Sequence, residues 1–217
     1  MIITWYGHAA FLIEGDGKRI IMDPYSSTCG FDPINDHADI VTISHENEKY
    51  HSCTSELEGD FELVNGLELG PEGVVIEDLQ INAVEVYEDD EGNGPNAIVT
   101  FELEDIKIAH LGDLGHALTE EQFKVIEGCD ILLALAGGSP TLNMTDLADL
   151  IKKLKPAIVI PMHFKCGKLD LPIHDEKPFL DMYDESIIDK AEAPSLVVTK
   201  SSFSEETRIC LLQALKA

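Results

Sequence analysis

Arginine is nearly missing from this chain. Of 217 residues only Arg19 and Arg208 are arginine, and Lys and Arg together number 15 against 41 Asp and Glu, a formal net charge of −26. So acidic a chain repels nucleic-acid phosphates and anionic membrane surfaces, and it lacks the guanidinium forks that grip phosphate at two points. The composition argues against nucleic-acid and membrane partners and leaves a small-molecule substrate or ligand. No apolar run reaches the ~18 residues of a bilayer span. Met1–Tyr6 carries no basic segment or long apolar stretch, against a cleaved signal. The five cysteines (Cys29, Cys53, Cys129, Cys166, Cys210) are scattered and lack CxxC spacing, the pattern of free thiols in a reducing cytoplasm. A cytoplasmic location is expected on that ground.

Core-forming residues are plentiful: 44% of the chain is hydrophobic, enough to exclude bulk disorder. No linker-like stretch divides it, so residues 1–217 read as one α/β domain, within reach of the ~150-residue prior for a domain. Ile2–Trp5, Ala10–Ile13 and Arg19–Met22 are short β-rich runs, the last two joined by a Gly-containing turn at Glu14–Lys18. Asp39–Ser44 reads as a strand buried on both faces. Phe61–Val64, Val74–Ile76 and Leu79–Tyr87 add further strands.

The second half opens like the first. Ala9–Ile13 turns into Arg19–Asp23, and sixteen residues later comes Asp39-Ile40-Val41. Ala97–Phe101 turns into Ile106–Ala109 and Asp113, and seventeen residues later comes Asp130-Ile131-Leu132. Each half reads strand, turn, strand, Asp, loop, buried strand. Thr119-Glu120-Glu121-Gln122 is a capping box for a helix to about Glu127. Thr145–Leu154 repeats Leu and Ile at helical spacing and ends on Lys152 and Lys153. Ala157–Ile160 is another buried strand, and Ser195–Lys200 with Thr207–Leu212 is expected to form a closing hairpin, which would also serve as an interface were the chain a homo-oligomer.

Four polar clusters follow apolar strands: Ser44–His51, Tyr87–Asp90, His110–His116 and Pro161–Phe164. Together they supply imidazole and carboxylate from separate strand ends, the donor mix that Zn²⁺, Mn²⁺ and Fe²⁺ accept. Gly112 and Gly115 would let the backbone pass close to such ligands.

The order and wording of these pieces resemble the metallo-β-lactamase superfamily, and within it the small metal-dependent hydrolases that include the ascorbate-phosphate lactonases. The resemblance rests on Trp5–Phe11, Ile21–Pro24, Asp39–His45, Gly94–Ile98, His110–His116, Gly137-Gly138 and Ile160–His163, across residues 2 to 165. It implies a four-layer αββα sandwich of two ββα halves and metal-dependent hydrolysis of an ester, lactone or amide. The family's His-x-His-x-Asp-His signature falls here on His45, Asn47, Lys49 and Tyr50, with His51 one residue beyond. The next family ligand, a His, aligns with Glu88, the bridging Asp with Asp113 and the last His with His163.

By that resemblance, one divalent metal (Zn²⁺, Mn²⁺ or Fe²⁺) is expected among His45, Glu88, Asp113 and His163, with Asn47 and His51 as further candidate ligands. The second metal is expected to be absent, because Lys49 and Tyr50 replace its ligands; Lys49 is expected to pair with Asp113 in its stead. Asp113, His163 and Lys49 are then the candidate catalytic residues. Asp23 is expected to brace the signature loop, and His8, Tyr50, His110 and His116 to orient ligands or contact substrate. Two alternatives stay open: a pseudoenzyme that binds a ligand or partner on the same fold, and a metal-free enzyme using Lys49, Tyr50 and His163 as acid–base groups.

Overall fold

The computed structural model describes residues 1–217. Its fourteen strands are β1 (Ile2–Gly7), β2 (Ala10–Gly15), β3 (Lys18–Met22), β4 (Ile40–Ile43), β5 (Glu62–Asn65), β6 (Val74–Ile76), β7 (Leu79–Tyr87), β8 (Pro95–Leu103), β9 (Ile106–His110), β10 (Ile131–Leu135), β11 (Ile158–Met162), β12 (Ile188–Lys190), β13 (Ser195–Val197) and β14 (Arg208–Leu211). Three α-helices accompany them: α1 (Glu120–Ile126), α2 (Met144–Leu154) and α3 (Lys177–Leu180).

The strands form two sheets, ordered β13-β1-β2-β3-β4-β5 and β12-β14-β11-β10-β9-β8-β7-β6. The two halves share one wiring. β1 to β2 and β2 to β3 are antiparallel, then β3 to β4 and β4 to β5 parallel. β7 to β8 and β8 to β9 are antiparallel, then β9 to β10 and β10 to β11 parallel. The repeat read from the sequence is therefore a repeat of topology. In both halves the Asp that ends the hairpin, Asp23 or Asp113, leaves its strand toward the same end of the sandwich.

Alternation along the first sheet explains the layering. Trp5, Phe11, Ile13, Ile20 and Met22 join a 48-residue cluster with β7 to β11 and the buried faces of α1 and α2. Tyr6, Ala10, Leu12 and Ile21 point the other way and pack against Tyr25, Cys29, Phe31 and Ile34. The outer cover of the first sheet is thus a loop, whereas α1 and α2 bring their apolar faces to the second half of the chain.

Local signals hold well for the helices. Thr119 accepts from the Gln122 amide while the Gln122 side chain accepts from the Thr119 amide, the expected capping box. Asn143 caps α2, which begins at Met144, one residue ahead of the expected start. The closing hairpin does not form: β13 pairs with β1 in the first sheet, while β14 lies parallel to β11 and β12 in the second. Both segments are strands, but each completes a different sheet edge. No helix is long and apolar enough to cross a membrane.

Candidate metal centre

The site is built at the ends of β1, β4, β7, β9 and β11. Its anchor is Asp23, buried and held in the left-handed region at φ 44°. One carboxylate oxygen accepts from the Ser44 amide at 2.7 Å, and the other accepts from the Ser44 hydroxyl at 2.6 Å and from His51 Nδ1 at 2.8 Å. An ionised carboxylate only accepts, so the Ser44 hydroxyl spends its proton on Asp23 and is free to accept from His45 Nδ1, 3.0 Å away. Both imidazoles therefore hold their Nδ1 proton toward Asp23 and turn Nε2 inward, the arrangement by which a carboxylate prepares histidines to ligate a metal.

His51 reaches this position through a tight turn. The Asn47 carbonyl accepts from the amides of Tyr50, His51 and Ser52, and Ser52 Oγ accepts from the Asn47 amide. That turn carries His51 into the core, with its side chain 1% exposed and Nε2 3.1 Å from Asp113 Oδ2. His163 Nε2 stands 3.2 Å from Asp113 Oδ1, and His45 Nε2 3.6 Å from Glu88 Oε1. The Glu88 side chain, 41% exposed, forms the open rim.

Asp113 is positioned by its backbone: its amide donates to Asn96 Oδ1, and Asn96 Nδ2 donates to the Leu111 carbonyl. Glycine is required on both sides. A Cβ on Gly112 would lie 2.2 Å from Asn96 Oδ1, and one on Gly115 would lie 1.6 Å from the Glu88 carbonyl oxygen. The backbone thus does pass close beneath the ligands, as the two glycines imply.

Charge is strongly coupled here. Burial alone would push the His51 imidazole down, but Asp113 and then Asp23 outweigh it and raise its pKa to about 10. Burial would likewise raise Asp113, yet His51 and His163 hold it well below the usual carboxylate range. Glu88 is shifted up by burial and by the Asp113 charge. Burial, with the neighbouring His51, lowers His45, and burial also lowers His163 against the pull of Asp113.

Three buried ligand atoms, His45 Nε2, His51 Nε2 and Asp113 Oδ1, have no hydrogen-bond partner. One ligand atom from each of these residues lies within 4.8 Å of the others. A buried polar atom left unpaired costs ~1–3 kcal/mol, so three converging on one point fit a divalent cation better than a closed protein core. The donor set, two imidazoles and a carboxylate with a second carboxylate at the rim, suits Zn²⁺, Mn²⁺ or Fe²⁺.

The expected site residues sort as follows. His45 stands beside Glu88 and His163 beside Asp113, but the ligand atoms that gather at one point are those of His45, His51 and Asp113. His51 enters the cluster in the place expected for Asn47, which acts through its carbonyl. Lys49 requires a correction: its ammonium lies 3.6 Å from Asp170 and 5.0 Å from the Tyr50 ring centroid, and does not pair with Asp113. Tyr50 donates its hydroxyl to the Asp170 carbonyl while its ring lies 5.3 Å from that of His8, so it borders the cluster and Lys49 fastens the loop from outside. His110 spends both nitrogens on the backbone, donating to Ala9 and accepting from Gly112. His116 does the same with Ala117 and Tyr87. These two histidines tie strands together and have no free nitrogen for a substrate. Ser44 and Asn96 stand inside the resembling motifs, but their positioning roles emerge only from the fold.

A profile of the Beta-lactamase superfamily domain matches residues 2–163. The chain belongs to the beta-lactamase superfamily. A structure from Thermotoga maritima, named as a candidate zinc-dependent hydrolase of the metallo-beta-lactamase superfamily, is 30% identical, covers 98% of each chain and superposes with a TM-score of 0.79. A UPF0173 protein of Pyrococcus abyssi is 28% identical over 183 residues, 76% of this chain and 83% of that protein. The UPF0173 metal-dependent hydrolase of Thermoplasma acidophilum is 25% identical over 185 residues, 75% of this chain and 82% of that protein. The superfamily match ends at His163, the last residue of the cluster described above.

Proposed function

We propose that this chain is a metal-dependent hydrolase of a small-molecule ester, lactone or amide, with one divalent cation held by His45, His51 and Asp113 and Glu88 at the entrance. The observation that carries the reading is the convergence of unpartnered, buried His45 Nε2, His51 Nε2 and Asp113 Oδ1. The names of the Thermotoga and Thermoplasma relatives support the same reaction class.

When bound, a divalent cation supplies Lewis-acid polarisation and acidifies water. The chain's own groups do the rest. Asp23 holds His45 and His51 in one tautomer through Ser44 and directly, so the inward nitrogens are oriented before anything binds. Asp113 and His163, 3.2 Å apart, form the proton-handling pair: the carboxylate takes a proton from the attacking water and relays it to the imidazole, which gives that proton to the leaving group. His163 is buried and the Asp113 side chain is 13% exposed, so the pair is largely shielded from bulk water while its carboxylate stays reachable.

The test is hydrolysis of a panel of lactones, esters, amides and a generic diester by chain loaded with Mn²⁺ or Zn²⁺. Turnover that disappears in Asp113→Asn supports the proposal. No turnover by loaded chain, or equal turnover by Asp113→Asn, overturns it and leaves a cation-binding member of the fold without catalysis.

A further inference from the structure

His8 is the most thoroughly buried polar side chain that the proposed chemistry leaves unused. It is 0% exposed, and neither ring nitrogen has a hydrogen-bond partner. Two nitrogens without a well-formed hydrogen bond in a dry core are costly, and the nearby Tyr50 backbone offers His8 only a weak contact, unlike the close carbonyls that hold His110 and His116. The ring faces two others: its centroid lies 4.4 Å from that of His163 and 4.9 Å from that of His51. One ligand nitrogen from each of His8, His51 and His163 lies within 4.8 Å of the other two.

The backbone holds these rings in place at a conformational cost. His8 and His163 both sit in the left-handed region, at φ 51° and 52°, where non-glycine residues are uncommon. The His8 carbonyl accepts from the His163 amide at 2.9 Å and from Trp5 Nε1 at 3.0 Å. The ends of β1 and β11 are thereby locked together with both imidazoles aimed at the same space.

We propose that His8, His51 and His163 form a second ligand nest, an all-imidazole site for Zn²⁺, distinct from the carboxylate-containing nest of His45, His51 and Asp113. Three imidazoles, His51 giving up its Nε2 proton as a cation binds, are a donor set that Zn²⁺ accepts readily and that Mn²⁺, which favours oxygen, does not. The two nests share His51. Its Nδ1 is committed to Asp23, so only Nε2 can ligate, and it can serve one cation at a time. Zn²⁺ at the imidazole nest and Mn²⁺ at the mixed nest therefore exclude each other, and the chain holds one cation, in either of two places.

The experiment reads cation binding alone, so it stands or falls separately from the hydrolase reading. Metal-free full-length chain is titrated with Zn²⁺ against a chromophoric chelator and with Mn²⁺ by electron paramagnetic resonance, in wild type and in His8→Asn, asparagine being at ease at positive φ. The expected result is a Zn²⁺ affinity at least ~100-fold lower in His8→Asn with Mn²⁺ affinity within about threefold, since losing even a supporting partner costs 10–100-fold. Zn²⁺ and Mn²⁺ should compete for a total of one equivalent. Unchanged Zn²⁺ affinity, an equal loss for both ions, or two equivalents bound together would overturn the proposal. Should His8→Asn not fold, ¹¹³Cd NMR of wild-type chain labelled with ¹⁵N-histidine decides: coupling to a nitrogen of His8 supports the nest, and its absence in a Cd²⁺-loaded chain overturns it.

Discussion

Asp23 and Asp113 occupy the same place in the two halves of the fold, each just beyond the second strand of a β-hairpin that feeds a parallel crossover. Their surroundings differ completely. Asp23 is surrounded by donors: Ser44 supplies its amide and hydroxyl and His51 its Nδ1, all within 2.8 Å. Asp113 has its backbone pinned by Asn96, while its Oδ1 finds no hydrogen-bond partner between His51 and His163. A repeated topology has thus placed two carboxylates side by side. One has its hydrogen bonds made and serves as a brace; the other keeps capacity in reserve and can serve chemistry. The difference lies in which loop returns over each strand end, not in the residue type.

The largest effect should come from the unsatisfied member of the pair. Asp113→Asn should reduce hydrolysis by about 10²–10⁴-fold, the range for losing a proton-handling group, measured as kcat/KM on whichever panel substrate is turned over. A loss under tenfold would place the chemistry elsewhere.

Cation removal sharpens the contrast next. A cation at ~1,000 times its Kd stabilises by about 4 kcal/mol, so chelation should lower Tm by roughly 10 °C in wild type for a chain of this size. The shift should shrink in Asp23→Asn, whose imidazoles are misoriented but present, and vanish in Asp113→Asn. Equal shifts in all three proteins would dissolve the distinction between brace and ligand.

A smaller effect is expected on stability. Asp23→Asn should cost about 3 kcal/mol in urea unfolding, because a buried acceptor of three donors loses its charge opposite His51. If that variant is as stable as wild type, Asp23 is not the brace described here. The smallest effect belongs to Lys49→Ala. Its partner Asp170 is largely exposed, so stability should change by less than about 0.5 kcal/mol and the number of cations bound not at all. A changed cation count would return Lys49 to the centre.

Much of the fold is legible in local sequence. The hairpin–Asp–buried-strand pattern marks both halves, because turn chemistry and strand hydrophobicity are local. What the pattern omits is the partner. Ser195–Val197 and Arg208–Leu211 read as two adjacent strands, yet each pairs with chain far away, β1 in one case and β11 in the other. Pairing at such distance depends on which sheet edge is vacant, and no window of sequence contains that. The site divides in the same way. His45, Asp113 and His163 lie within three residues of the ends of β4, β9 and β11, in polar clusters that follow apolar runs and are visible as such in the sequence. His51 depends on a turn organised by one carbonyl, that of Asn47, and on Asp23, 28 residues away. Lys49 illustrates the converse: the family resemblance implies a place for it at the centre, but the same turn that brings His51 inward sends Lys49 out to Asp170.

The central claim is that a cation sits against the free capacity of Asp113 and the inward nitrogen of His51, not among the many exposed carboxylates of this acidic chain. Anomalous diffraction from crystals of wild-type chain loaded with Mn²⁺ tests it most directly. The account predicts one strong peak bounded by His45, His51 and Asp113. A peak confined to surface carboxylates, or none in crystals whose solution carries saturating Mn²⁺, would contradict it.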